Sequence, residues 1–262
     1  MKLDMPTGAW QRDWIRRHGG APDAAVTVRY VQTPSVFGDV RIRSDRPATR
    51  GAASFADLSD DQLAALARQN GFADTTTIDR TNATWHHEID FQPSDGGADI
   101  GRIEPAGEGK MFEHALDASY VESWSALGGT AGPFLAVTVA RGARVDQLLA
   151  VAGDHFVYAR ARASALPAGD SITDVIAKIH ATRETIIAYL DCEISYGTTR
   201  GWQIEHSTLP WREGKRLAFA DQIVVDATGQ PVARAATAGD TWRIAVNRFA
   251  IAQLRALFSP AR

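Results

Sequence analysis

The rhythm of apolar and polar residues changes several times along the chain. Near the start, Trp10 and Trp14 stand four apart with Ile15 beside them and Arg16 and Arg17 directed elsewhere. That spacing predicts a short amphipathic helix after Thr7, docked on its own domain. From residue 24 the period drops to two. Val26, Val28 and Tyr30 alternate with Thr27, Arg29 and Val31; beyond the Thr-Pro-Ser turn at 33–35, Val40 and Ile42 alternate with Asp39, Arg41 and Arg43. This predicts a hairpin whose Asp39, Arg41 and Arg43 form a solvated charged face. A helix over 59–70 interrupts, with Ser59 and Gln62 as a capping box, Leu58 and Leu63 as the staple around it, and Gly71 as the stop.

Short strands are then expected at 72–80, 84–91, 99–104, 110–116, 119–126, 134–141, 145–151 and 155–163, separated by turn signals such as Ser-Asp-Gly-Gly at 94–97. Gly153-Asp154 suits a two-residue hairpin turn. No helix lies between these strands, so a parallel sheet is disfavoured, and a meander this long hides its edges best by closing on itself. After Asp170, Ser171 and Asp174 cap a helix in which Ile172, Val175, Ile176, Ile179, Ile186, Ile187 and Leu190 keep a 3.6-residue rhythm over 172–190. Strands follow at 193–197, 201–207, 216–226, 231–237 and 241–247, and Asn247 caps a final helix carrying Phe249, Ile251, Leu254 and Phe258.

Composition narrows the classes. The chain has 262 residues, 28 Lys+Arg against 31 Asp+Glu, a net charge of −3 and 45% hydrophobic residues. A substantial core can be buried, and nothing drives the chain toward nucleic acid or an anionic membrane. The single Cys192 removes a disulfide framework and Cys-rich zinc sites, and reads as a small buried hydrophobe. The N-terminus lacks an apolar signal-peptide core and no apolar run could span a bilayer, so a cytoplasmic protein is expected. Phosphate-loop, G-x-S-x-G and H-E-x-x-H motifs are absent, which disfavours nucleotide-dependent enzymes, serine hydrolases and common zinc peptidases.

What remains is polar residues in apolar rows. On a strand, side chains two apart project the same way. His87 then shares a face with Trp85, Ile89 and Phe91; His114 with Phe112 and Leu116; His206 with Trp202 and Ile204; and Glu122 with Tyr120 and Trp124. Each histidine alone fits a hydrogen-bonded core position better than a ligand's. Glu122 is harder to place, because a buried carboxylate must be paired or protonated; an inward histidine would serve, or Arg41 or Arg43 if their strand is turned the other way. Three imidazoles from separate strands could make an open metal site, but no spacing forces them together, and no metal or cofactor is expected.

The order Phe37-Gly-Asp39-Val-Arg41-Ile42, Gly71-Phe72-Ala73, Thr84-Trp85-His86-His87-Glu-Ile-Asp90, Asp99-Ile-Gly101, Phe112-Glu113-His114 and Tyr120-Val-Glu122-Ser-Trp124 resembles a fungal protein family built of lipocalin-like β-barrels, whose founding member interacts with a casein kinase. The match covers roughly residues 28–125, with departures at Gly38, Asp74 and Val121. It implies a calycin-type barrel and supplies no catalytic residues. The expected architecture is therefore mainly β: an antiparallel lipocalin-like barrel over 1–165 with the 59–70 helix capping it, and over 166–262 a long helix with a C-terminal β extension or second small barrel. The expected function is binding of a small apolar molecule inside the barrel, with Trp85, Tyr120, Trp124 and Trp202 as walls and His87, His114, Glu122 and His206 as polar contacts. Two alternatives stand beside it. One is a barrel enzyme of isomerase or cyclase type using a His/Glu cluster, and the other is a solid barrel that serves as an interaction module. A protein partner or a homodimer stays open.

Overall fold

A computed structural model describes residues 6–94, 96–235 and 238–259. Its first layer contains β1 (Gly8–Arg17), β2 (Val26–Gln32), β3 (Val36–Arg43), helix α1 (Asp60–Leu66), β4 (Asn70–Asp79), β5 (Asn82–Trp85), β6 (Ile89–Asp90), β7 (Asp99–Pro105), β8 (Lys110–Ala115) and β9 (Tyr120–Ala126). The sheet runs β3-β2-β1-β9-β8-β7-β5-β4-β6, and β3 pairs back to β4. All pairings are antiparallel, so eight strands close a barrel and β6 hangs from β4 as a short ninth. Closure satisfies the backbone groups that an edge would expose.

The second layer holds β10 (Phe134–Arg141), β11 (Arg144–Ala152), β12 (His155–Arg160), helices α2 (Ile172–Lys178) and α3 (Arg183–Leu190), β13 (Glu193–Thr198), β14 (Gln203–Ser207), the small hairpin β15 (Ile223–Val225) and β16 (Pro231–Ala233), β17 (Asp240–Asn247) and helix α4 (Ile251–Leu257). Six of these strands form a second antiparallel sheet in the order β14-β13-β12-β11-β10-β17. The expected meander therefore divides: strands up to 126 close the barrel, and those from 134 onward build this sheet. Gly153-Asp154 makes the expected two-residue turn, with Gly153 at φ +57°.

The opening segment is a strand, not a helix. Trp10 pairs across to Tyr30 and Ala126, while a bulge between Arg12 and Trp14 shifts the register against β9. The bulge turns Trp10, Arg12 and Ile15 toward the barrel interior and leaves Trp14 outside against Phe112, at 6.1 Å between ring centroids. Because one residue is skipped, the apolar positions imitate a helical spacing.

Two other helical expectations are refined. The capping box at Ser59 and Gln62 is present, but α1 ends at Leu66 with Ala67 as its C-cap, and Gly71 lies inside β4. There a Cβ would sit 2.8 Å from the Asp39 carbonyl, so the glycine serves close strand approach rather than helix termination. The 172–190 helix breaks in two. His180 takes a left-handed φ of +49°, Ala181 N–H reaches back to the Ile176 carbonyl, and Thr182 caps α3 by accepting from Thr185 N–H. In the C-terminal part, Asn247 makes a local turn to Phe249 N–H, and Gln253 caps α4 at Ala250. Of the strand expected at 231–237, positions 236 and 237 lie outside the described residues, as does Asp95 of the 94–97 turn.

The main core lies between the two layers. Val31, Val36, Val40, Ala73, Ile89 and Phe91 from the barrel's outer wall meet Leu148, Ala150, Val157, Ala159 and Ile194 of the sheet, with Leu63, Leu66, Val175 and Leu190 from the helices closing the sides. A second core, including Leu149, Phe156, Trp202, Phe219 and Leu254, covers the sheet's far face. The layers meet closely at Gly38, where a Cβ would fall 2.3 Å from Val157 Cγ1. Gly38→Ala is expected to destabilise the protein by roughly 1–3 kcal/mol, since overpacking forces backbone shifts. The loss should be smaller in a Val157→Ala background; urea denaturation of the four-member cycle checks this, and equal losses in both backgrounds would refute the contact.

Candidate functional site

The barrel is packed at one end and hollow at the other. Trp10, Val28, Ala83 and Ile103 belong to its internal cluster. Toward the end where β1, β3 and β5 finish and β4, β7 and β9 begin, a cavity of about 220 Å³ remains, lined by Tyr30, Phe72, Trp85, Met111, Tyr120 and Trp124 together with Ile15, Arg17, Asp39, Arg41, Asp99, Glu113 and Glu122. It shares Arg41, Phe72, Trp85 and Asp99 with a wider cleft of about 960 Å³ that His86, His87, Glu88 and Asp90 also border.

The expected row of β9 is inside: Tyr120, Glu122 and Trp124 all line the cavity. The partner of Glu122 is Arg12 of β1, in a salt bridge whose two side chains are almost wholly buried. Facing β9 across the barrel, Asp39 is 2% exposed and accepts from Arg41 Nε at 2.9 Å and Nη2 at 3.1 Å. Asp39 and Arg41 are thus interior groups and not the solvated face expected of them; Arg43, further along the same row, does face solvent and pairs with Asp45 at 2.8 Å. The apolar side of β3, Val40 and Ile42, points into the core between the layers.

The histidines do not converge. β5 ends at Trp85, whose Nε1 donates to the Tyr30 hydroxyl at 3.0 Å inside the barrel. The alternation read over 84–91 breaks at the 86–88 connection, so Ile89 and Phe91 enter the inter-layer core while His87 stands at the cavity mouth. Its ring stacks on Phe72 at 3.9 Å and 13°, with Arg41 4.8 Å from the same ring. His114 is on the outer wall, 3.1 Å from Glu104; its row neighbour Leu116 is exposed, and β8 instead turns Met111 and Glu113 inward. Trp202 and His206 belong to the second layer. Trp202 donates to the Leu257 carbonyl at 2.9 Å and stacks on Phe258, and His206 lies 6.1 Å from the Tyr196 ring. Among the described residues, no group of three His, Cys, Asp or Glu side chains is placed to hold a metal ion.

Glu113 is the functional candidate that sequence parity missed. It sits directly opposite Glu122 in the β8–β9 register and accepts from the Tyr120 hydroxyl at 3.0 Å. Burial first, and then the negative fields of Glu122 and Asp99, push its carboxyl up to about 8, with Arg41 only partly opposing them. Two buried polar atoms in the lining have no hydrogen-bond partner among the described residues: Glu122 Oε2 and Trp124 Nε1. Such atoms cost free energy unless something pairs with them.

At the mouth, His87 Nδ1 lies 2.9 Å from Asp90 Oδ2 and Nε2 lies 3.1 Å from Asp99 Oδ2. Burial alone would lower its pKa, but these two carboxylates outweigh burial and raise it to about 9. The imidazolium thereby ties the 86–90 connection to the start of β7. No protein-family model, curated protein or solved structure matches this chain.

These shifts have opposite consequences on substitution. His87 stabilises the fold fully below its ordinary value of 6.5, and that contribution is lost as pH rises through about 9. His87→Ala should therefore lower Tm most at pH 6, by about 2–4 °C for each 1 kcal/mol, and least at pH 10. Glu113 folds best as the neutral acid, so wild-type stability falls as pH rises from its ordinary 4.5 through about 8. Glu113→Gln should raise Tm above that of wild type at pH 9 and converge with it at pH 5, as scanning calorimetry can read.

Proposed function

We propose that the protein binds a small amphipathic molecule inside the open half of its barrel. The observation that carries this reading is a pair of buried polar atoms without a hydrogen-bond partner among the described residues, Glu122 Oε2 and Trp124 Nε1, both on residues that line a cavity walled by aromatic rings. A concave site of mixed aromatic and polar lining suits a compact molecule with an apolar body and a hydrogen-bonding group. A purely apolar ligand would leave both atoms unpaired, so the ligand expected from the sequence gains a polar end here. Trp85, Tyr120 and Trp124 form walls and Glu122 orients the ligand, while His87 acts at the mouth and Trp202, His114 and His206 take no part. The kinship with lipocalin-like barrels belongs to the same proposal. It is supported by where most of the resembling blocks fall, since 37–42, 71–73, 99–101, 112–114 and 120–124 lie on barrel strands, while 84–90 leaves its barrel strand at Trp85.

NMR of the ¹⁵N-labelled chain tests the reading through the indole N–H signals. Titration with 2-phenylethanol, 2-phenylethylamine and 3-phenylpropionate should move Trp85 and Trp124 saturably for at least one probe and leave Trp202 in place. Met111→Trp, which fills the cavity, should abolish the shifts. No saturable movement with any probe, or equal movement at Trp202, would overturn the assignment.

A further inference from the structure

We propose that the ligand of this cavity is a small organic ammonium ion on an aromatic body, its charged group seated between the Glu113 and Glu122 carboxyl groups and against the surrounding rings. This rests on the ligand-binding reading above and names the ligand's class.

The geometry favours a cation over a neutral or anionic group. Glu113 and Glu122 are cross-strand neighbours, where two like charges destabilise a sheet unless a proton or a cation intervenes. Two of the three arginines are already engaged. Arg12 bridges one oxygen of Glu122, Arg41 is held by both oxygens of Asp39, and Arg17 stands exposed at the rim. One Glu113 oxygen takes the Tyr120 hydroxyl, and Glu122 Oε2 is unclaimed among the described residues. An ammonium offers N–H donors to both carboxyl groups. The rings of Trp85, Trp124, Tyr30 and Tyr120 line the cavity, and aromatic faces attract positive charge through their quadrupoles, most strongly where water is excluded. A carboxylate ligand would meet Glu122, Asp99 and Asp39, and among the described residues the lining offers it only Arg17, at the exposed rim, and Arg41, already held by Asp39.

Binding then exchanges one cation for another. In the free protein Glu113 carries a proton near neutral pH, imposed by burial and by Glu122 and Asp99, against the opposing field of Arg41 and the hydrogen bond from Tyr120. The ammonium arrives charged, the Glu113 O–H bond breaks, and the proton leaves to solvent. The Glu113 carboxylate that remains accepts from the ammonium. Charge is conserved, and affinity rises with pH until Glu113 is already ionised in the free protein.

Isothermal titration calorimetry of the full chain decides this. With 2-phenylethylamine, 2-phenylethanol and 3-phenylpropionate as matched probes, the amine should bind at least about tenfold tighter than the alcohol, equivalent to about 1.4 kcal/mol, and the carboxylate weakest. At pH 7, repeating the amine titration in buffers of different ionisation enthalpy should show close to one proton released for each amine bound. Glu113→Gln should remove the release and reduce the amine's advantage. The proton count is read on the wild-type chain, so it decides the matter even if that variant fails to fold. Alcohol or carboxylate binding as tightly as the amine, or amine binding without proton release, would overturn the ammonium assignment while leaving ligand binding standing. Failure of all three probes to bind would overturn both.

Discussion

Charge buried inside a closed sheet is the constraint on which the barrel depends. A carboxylate taken from water into a protein interior must be paired, hydrogen-bonded or protonated, and breaking a buried pair costs about 3–5 kcal/mol. The barrel uses all three solutions within a few strands. Arg12 answers Glu122, Arg41 answers Asp39 with two hydrogen bonds, and Glu113 keeps its proton beside Tyr120. The bulge in β1 follows from the same need. Arg12 and Ile15 are three apart and would face opposite ways on a regular strand; one inserted residue lets both point inward. Local backbone irregularity here serves electrostatics that span the barrel.

A second consequence is that β2, β3 and β4 have two insides. One row of each faces the barrel lumen and the other faces the core against the six-stranded sheet. On β3, Phe37, Asp39 and Arg41 belong to the lumen, whereas Val36, Val40 and Ile42 belong to the inter-layer core. Gly38 sits where that wall meets Val157, and its missing side chain sets how near the layers come. The polar row is thus the interior of the barrel, and the more apolar row is its outside.

This inversion governs what could be read from residues alone. Period-two alternation is clear from residue 26 onward and identifies antiparallel strands and hairpins, while closure into a barrel follows from the need of so long a meander to hide its edges. Alternation cannot say which of two buried faces is the lumen. Asp39 and Arg41 therefore look like a solvent face, and His114, beside Phe112 and Leu116, looks interior when Glu113 is the residue that points in. Tyr120, Glu122 and Trp124 were legible as a lumen row because two aromatics flanking a carboxylate on one strand face are a poor fit to open solvent. His87 is displaced by the end of β5 at Trp85, a local break that no periodicity signals, and Trp202 and His206 depend on which sheet β14 joins. A parity shift across the Asp13 bulge hides Arg12 for the same kind of reason. A like-charge pair such as Glu113 and Glu122, brought together only by cross-strand register, is legible once the pairing is known.

The two ends of the barrel show what folding alone would require. At the packed end, Trp10, Ala83 and Ile103 fill the lumen with apolar side chains, which is the stable way to close a small barrel. At the open end, Glu113 is held opposite Glu122 at a cost that grows as pH rises, and Trp124 Nε1 has no partner among the described residues although Trp85 and Tyr120 satisfy theirs. Replacing a buried ionic cluster by well-packed hydrophobic residues is commonly neutral or stabilising. The His87 imidazolium and the Arg41 guanidinium gather on the ring of Phe72 at this same end and nowhere deeper. Stability is therefore given up in one half of the lumen and kept in the other, an asymmetry that the fold does not demand and that the proposed ligand binding would account for.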